Sequence, residues 1–108
     1  MTEAVEIEVT CPSAEEADRL SRRLVEARLV ACAQVGAPLQ SRYWWQGAVE
    51  TAEEWPLVLK TRADLFEKVA DEIRIHHPYE TPAILGRAIA FIDPATRDWI
   101  EASAAPDA

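Results

Sequence analysis

Residues 29–45 and 49–61 are both rich in strand formers, and Gln46-Gly47 makes the turn between them. A straight strand of about 14 residues spans roughly 45 Å, whereas a domain of this chain's length has a radius of gyration of about 13 Å. Such a hairpin has to bend or project from the body that carries it. Gly36-Ala37-Pro38 interrupts the first arm and predicts a bend or bulge, and Pro56, which lacks a ladder donor, predicts an edge or a bulge in the second. The tip carries Tyr43, Trp44 and Trp45, with Trp55 on the returning arm. Aromatic rings concentrated on a protruding ribbon are more often interface than core, so further copies of the same chain are expected to cover them. For any one tryptophan, filling the local core is the competing reading.

The flanking segments supply a body for this hairpin. Val5, Ile7 and Val9 alternate with Glu6, Glu8 and Thr10, the period of a strand with one buried face, and Pro12 stops it. Ser13-Ala14-Glu15-Glu16 is a capping box opening a helix that runs to about Arg28, with Ala17, Leu20, Leu24 and Ala27 on one stripe. Thr61-Arg62-Ala63-Asp64 reads as a second capping pattern before Leu65, Phe66, Val69 and Ile73 at helical spacing. Pro78 biases His77 out of the helical region, so this helix ends near His76. Residues 84–92 read as an apolar strand, Asp93-Pro94 opens a last short helix carrying Trp99, and the residues from Ser103 on read as a frayed tail. The order strand, helix, strand, strand, helix, strand is the split β-α-β-β-α-β arrangement of the α+β class, a sheet with two helices on one face. One domain is expected over 1–108, with an ordered core of about 5–103.

Composition narrows the function classes. A net charge of −8 leaves no basic stripe for phosphates, which argues against nucleic acid and anionic membrane surfaces and makes cations the more natural partners. No apolar run approaches the roughly 18 residues of a membrane span, and a cytoplasmic location is expected. Cys11 and Cys32 are too few for a disulfide framework and read as free thiols. There is no Gly-rich phosphate loop, HExxH, CxxC or nucleophile elbow, so a non-enzymatic role is expected.

The most metal-like feature is His76-His77, because neutral imidazole is a borderline ligand that suits copper or zinc. Adjacent residues at a helix end point in different directions, so both reach one ion only if the turn before Pro78 unwinds, with a third ligand from elsewhere. Cys11 is the candidate soft donor. The competing readings are a loop or capping role for each histidine and a small buried hydrophobe for Cys11.

Five fragments in register carry a resemblance: Thr10-Cys11-Pro12-Ser13, Val30-Ala31-Cys32-Ala33-Gln34, Ser41-Arg42-Tyr43-Trp44-Trp45-Gln46-Gly47, Lys60-Thr61 and His77-Pro78-Tyr79-Glu80-Thr81-Pro82. Together with a tryptophan in the last helix, they resemble the CutA divalent-cation tolerance family. The resemblance implies a ferredoxin-like fold with an extra C-terminal helix, a homotrimer built by strand pairing, tolerance to divalent metals, and copper binding in some members. Members proposed to ligate copper place the cysteine two positions earlier, where this chain has Val9. Copper or another divalent ion is thus the implied ligand, with His76, His77 and Cys11 as its candidate residues. The resemblance also implies a pocket at the subunit boundary formed by Trp45, Lys60, Tyr79 and Glu80. Lys60 stands at a strand end just before a helix start, where a cation and free backbone amides can hold an anion. The alternative function is therefore a PII-like trimeric signalling module binding a small anionic ligand between subunits, an analogy of fold alone. The bland reading of the same group is a Lys60–Glu80 pair with Tyr79 sealing the core.

Overall fold

The computed structural model describes residues 3–107. Strand β1 (Ala4–Cys11) leads into helix α1 (Ala14–Glu26), followed by β2 (Cys32–Val35), β3 (Leu39–Trp45) and β4 (Ala48–Arg62). A 3-10 turn, Ala63–Leu65, opens helix α2 (Phe66–His76), and β5 (Leu85–Ala88) and helix α3 (Pro94–Ser103) come next. Paired strands are all antiparallel, in the order β2, β4, β1, β5, with β3 pairing the first half of β4. The result is a mixed α/β fold of one antiparallel sheet and three helices.

Alternation in β1 and β4 decides where the core sits. Ile7, Val9 and Cys11 stand opposite Leu59, Leu57 and Trp55, and this face meets Leu20 and Leu24 of α1 and Val69 and Ile73 of α2 in one cluster. Each such aliphatic side chain contributes about 1.5–3 kcal/mol by leaving water. Glu6, Glu8 and Lys60 alternate to the other face, where Arg87 of β5 lies 3.4 Å from Glu8 and 3.6 Å from Glu6. Trp55 therefore leaves the group of ribbon aromatics: its place opposite Cys11 packs it, partly buried, against the helix-covered core.

The long hairpin projects, as its length requires. β4 pairs β1 and β2 over its second half and β3 over its first, so the β3–β4 ribbon runs past the body and draws the molecule out to 44 × 26 × 23 Å. At the break between β2 and β3, the Gly36 N–H donates to the Pro56 carbonyl at 2.8 Å. A strand residue presents its nitrogen and carbonyl to the same side, so the donorless Pro56 nitrogen faces this break and costs no ladder bond to β1. At the tip, Gln46 and Gly47 have φ of 49° and 82°, both left-handed as a two-residue hairpin turn demands.

Several local expectations need correction. Ser13 caps α1 by accepting the Glu16 N–H at 3.1 Å, but the Glu16 carboxylate pairs with Arg19, so the second half of the box gives way to a helix-surface ion pair. The helix stops at Glu26, short of Arg28, which adopts φ 59° in the exit turn. Thr61 is no cap: it lies inside β4, buried, and its hydroxyl donates to the Leu29 carbonyl at 2.7 Å. β5 spans only Leu85–Ala88, because β1 offers it Val5 to Glu8 alone, and Phe91 beyond it is 94% exposed. The chain after Ser103 is not frayed at its start. Ala104 is buried and its carbonyl accepts from Arg62 at 3.0 Å, while Arg28 donates to the Ala102 and Ser103 carbonyls at 2.8 and 3.2 Å.

Candidate functional site

Helix α2 ends at His76, and His77 is extended, with φ −83° and ψ 138°, as a residue before proline is driven to be. This turns its ring back onto β1. Nε2 lies 2.8 Å from the Thr10 carbonyl, which can only accept, and Nδ1 receives the Tyr79 N–H at 3.0 Å. The partners thus assign the neutral tautomer protonated at Nε2, with both nitrogens in use. The Tyr79 ring stacks at a tilt against His77, centroids 4.7 Å apart, and its hydroxyl donates to Glu54 Oε2 at 2.7 Å. The Thr10 hydroxyl donates to the same oxygen at 3.0 Å.

Glu54 is the centre of this arrangement, a carboxylate only 5% exposed on the first half of β4. Burial by itself would raise its pKa, yet hydrogen bonds from Ser41, Tyr79 and Thr10 outweigh burial and hold the carboxyl below its usual range. The Tyr79 phenol moves the opposite way, upward, through burial first and then through its bond to Glu54 and the charge there. Beside them opens a cavity of about 690 Å³, whose walls include Thr10, Ser41, Tyr43, Trp45, Glu54 and Tyr79. It offers an ionised carboxylate, hydroxyl oxygens and aromatic faces, with hydroxyl protons already directed at the carboxylate, and Arg42, which donates to Gln40, also lines it.

Three of the four pocket residues expected from the sequence, Trp45, Tyr79 and Glu80, line this cavity, and Lys60 does not. Lys60 lies opposite Glu6 in the β1–β4 ladder, where its ammonium donates to the Gln34 side chain at 2.8 Å and sits 3.9 Å from Glu6. Its partner is therefore not Glu80. The three expected metal ligands are not brought together either. His76 projects from α2 toward Glu72, with Nε2 at 3.3 Å from the carboxylate, while His77 faces Thr10. Cys11 is buried on the helix side of β1, and burial, with the charges of Glu16 and Glu54, pushes its thiol up to about 11. Among the described residues, no three His, Cys, Asp or Glu side chains are grouped to hold a metal ion.

The residues that sequence reasoning passed over are Glu54, Thr10, Ser41 and Tyr43. In sequence Glu54 is one of several acids on a strand, alongside Glu50 and Glu53. Only the hairpin register, which sets Leu39 opposite Glu54, and the return of the chain after Pro78 reveal its role.

Comparison with known proteins agrees over nearly the whole chain. Residues 5–103 match the family described as CutA1 divalent ion tolerance protein. A divalent-cation tolerance protein CutA of Archaeoglobus fulgidus is 40% identical over 95 residues, covering 88% of this chain and 92% of that protein. A structure described as the periplasmic divalent cation tolerance protein CutA from the same organism superposes with a TM-score of 0.91 at 37% identity, covering 94% of this chain and 99% of that one. The CutA1 structure from Ehrlichia chaffeensis also gives 0.91, at 30% identity over 97% of this chain and 98% of its own. The motifs, the strand order and these matches agree, and the chain belongs to the CutA1 divalent ion tolerance family.

Proposed function

We propose that this chain serves divalent-cation tolerance as a non-enzymatic cytoplasmic homotrimer, in which copper or another divalent ion is held by ligands from more than one subunit. The observation that carries the assembly is the ribbon: Trp44 is 75% exposed, and Tyr43, Trp45 and Val49 are exposed beside it. Trp44 and Val49 share one face of the ribbon and Tyr43 and Trp45 the other; a soluble monomer rarely presents so many apolar side chains on a projecting ribbon, and further copies packed against its faces remove them from water. The strand order, with α1 and α2 on one face, supports reading the fold as ferredoxin-like, and the outer edges of β2 and β5 are available for strand pairing between copies. The metal part is supported by the description of the family to which the chain belongs.

Native mass spectrometry is expected to give three times the 12.1 kDa of the chain, and a folded species at the single-chain mass would sink the assembly. Calorimetric titration of Cu(II) into the native assembly is expected to saturate, and to weaken in His76→Ala. Failure to saturate would remove metal binding, and unchanged affinity in the variant would remove His76 as a ligand.

A further inference from the structure

We infer that the groove between α1 and α2 binds a short chain of phosphoryl groups, held by the guanidiniums of Arg19, Arg22 and Arg23. This goes beyond the metal-tolerance reading and does not depend on it. The chain carries a net charge of −8, yet three of its eleven lysines and arginines fall within residues 19–23, and the fold sets them along one groove. Arg19 and Arg23, four residues apart, share a face of α1, with Arg22 beside them, so the three charges follow one another over a helical rise of about 6 Å. Helix α2 runs alongside: the Arg23 Nε lies 3.5 Å from Glu72, and Arg19 Nη2 donates to the His76 carbonyl at 3.4 Å. The space between the two helices is about 640 Å³, and Leu20 and Leu29, both buried, line it along with the arginines.

Each arginine has a carboxylate neighbour, but none of these neighbours uses up its donors. Arg19 pairs with Glu16 through Nη2, the same atom that reaches His76, and Arg22 holds Asp18 through Nε at 3.0 Å. Arg23 meets Glu72 through Nε, and Glu72 is shared with His76, whose Nε2 is 3.3 Å away. A guanidinium carries five N–H donors, and among the described residues no hydrogen bond takes the terminal nitrogens of Arg22 or Arg23. Ion pairs between side chains this exposed contribute little, whereas a phosphoryl group meets a guanidinium bidentately. Glu26 is the opposing group: it lines the groove and, among the described residues, forms no ion pair. Three guanidiniums against Glu26 and Glu72 favour an anion with several charges over one with a single charge, and they oppose a metal ion. The negative charge of the rest of the chain acts from farther away, where salt screens it beyond about 10 Å.

Tripolyphosphate, inorganic phosphate and ATP, each titrated calorimetrically into the native protein at neutral pH in about 0.1 M salt free of divalent ions, test this. Saturable millimolar or tighter binding of tripolyphosphate is expected, at least about fivefold tighter than phosphate. Arg22→Gln and Arg23→Gln are each expected to weaken it about three- to tenfold, and Glu26→Gln to tighten it about threefold. ATP binding tighter than tripolyphosphate would make a nucleotide the source of the phosphoryl chain, and equal or weaker binding would make it the free polyanion; either result supports the site. Tripolyphosphate binding no tighter than phosphate would overturn the inference, as would affinity unchanged in both arginine variants, which would reduce the binding to a diffuse surface effect. Absence of saturation overturns it without touching the copper titration. Arg22 is exposed and pairs only within its own helix, and the probe comparison on the unmodified protein stands even if Arg23→Gln misfolds.

Discussion

The Tyr79 hydroxyl meets the Glu54 carboxylate at 2.7 Å, joining the loop after α2 to the projecting half of β4. Tyr79→Phe removes one donor from a buried carboxylate and is expected to destabilise the protein by about 1–3 kcal/mol at neutral pH. Because the folded pKa of Glu54 lies below its usual 4.5, the stability it contributes is fully present above that value and is lost as pH falls through the folded pKa. The gap between Tyr79→Phe and the parent should therefore close in acid. Urea unfolding at one fixed protein concentration, repeated from pH 7 downward, reads this directly, and a gap that stays constant would show that the bond does not hold Glu54 ionised.

A Cβ built on Gly86 lies 2.7 Å from the Cε1 atom of Phe66, so Gly86→Ala drives a methyl into a ring packed against the core. The expected loss is about 1–3 kcal/mol by overpacking. Phe66→Leu should recover part of it, giving a double variant more stable than the sum of the two single losses. Strict additivity in thermal unfolding would mean that the ring moves aside freely.

Thr61 is fully buried, with its hydroxyl on the Leu29 carbonyl. Thr61→Val keeps the shape and strands that carbonyl, and a loss of about 1–3 kcal/mol is expected, with Thr61→Ser losing less. Equal stability of the valine and threonine proteins would show that the carbonyl finds another donor.

Cys11 is buried, and its thiol titrates only near 11, so little thiolate exists at neutral pH. Iodoacetamide at pH 8 should leave Cys11 unmodified in the folded protein and alkylate it in urea. Peptide mapping that finds the adduct without denaturant would contradict the buried position.

Much of this fold was legible where a rule acts locally. Alternation in β1, the turn at Gln46-Gly47 and the extended His77 before Pro78 each follow from neighbouring residues. Local rules misled where a distant partner decided the outcome. Thr61 has the look of a cap, but Leu29 takes its hydroxyl from across 32 residues. Lys60 sits where an anion site is plausible, but the ladder hands it to Glu6 and Gln34. The site suffered most, since Glu54 gains its meaning from Tyr79, Thr10 and Ser41, on three other segments.

The two arginines that hold the end of α3 reach across 75 and 42 positions of the chain. The β1–β5 pairing, Val5 opposite Ala88, closes a comparable loop, but it does so inside a sheet, whereas these arginine bonds to α3 lie at or near the surface. Local opening there costs fewer buried contacts, and the amides of α3 should exchange with deuterium sooner than those of β1 and β4.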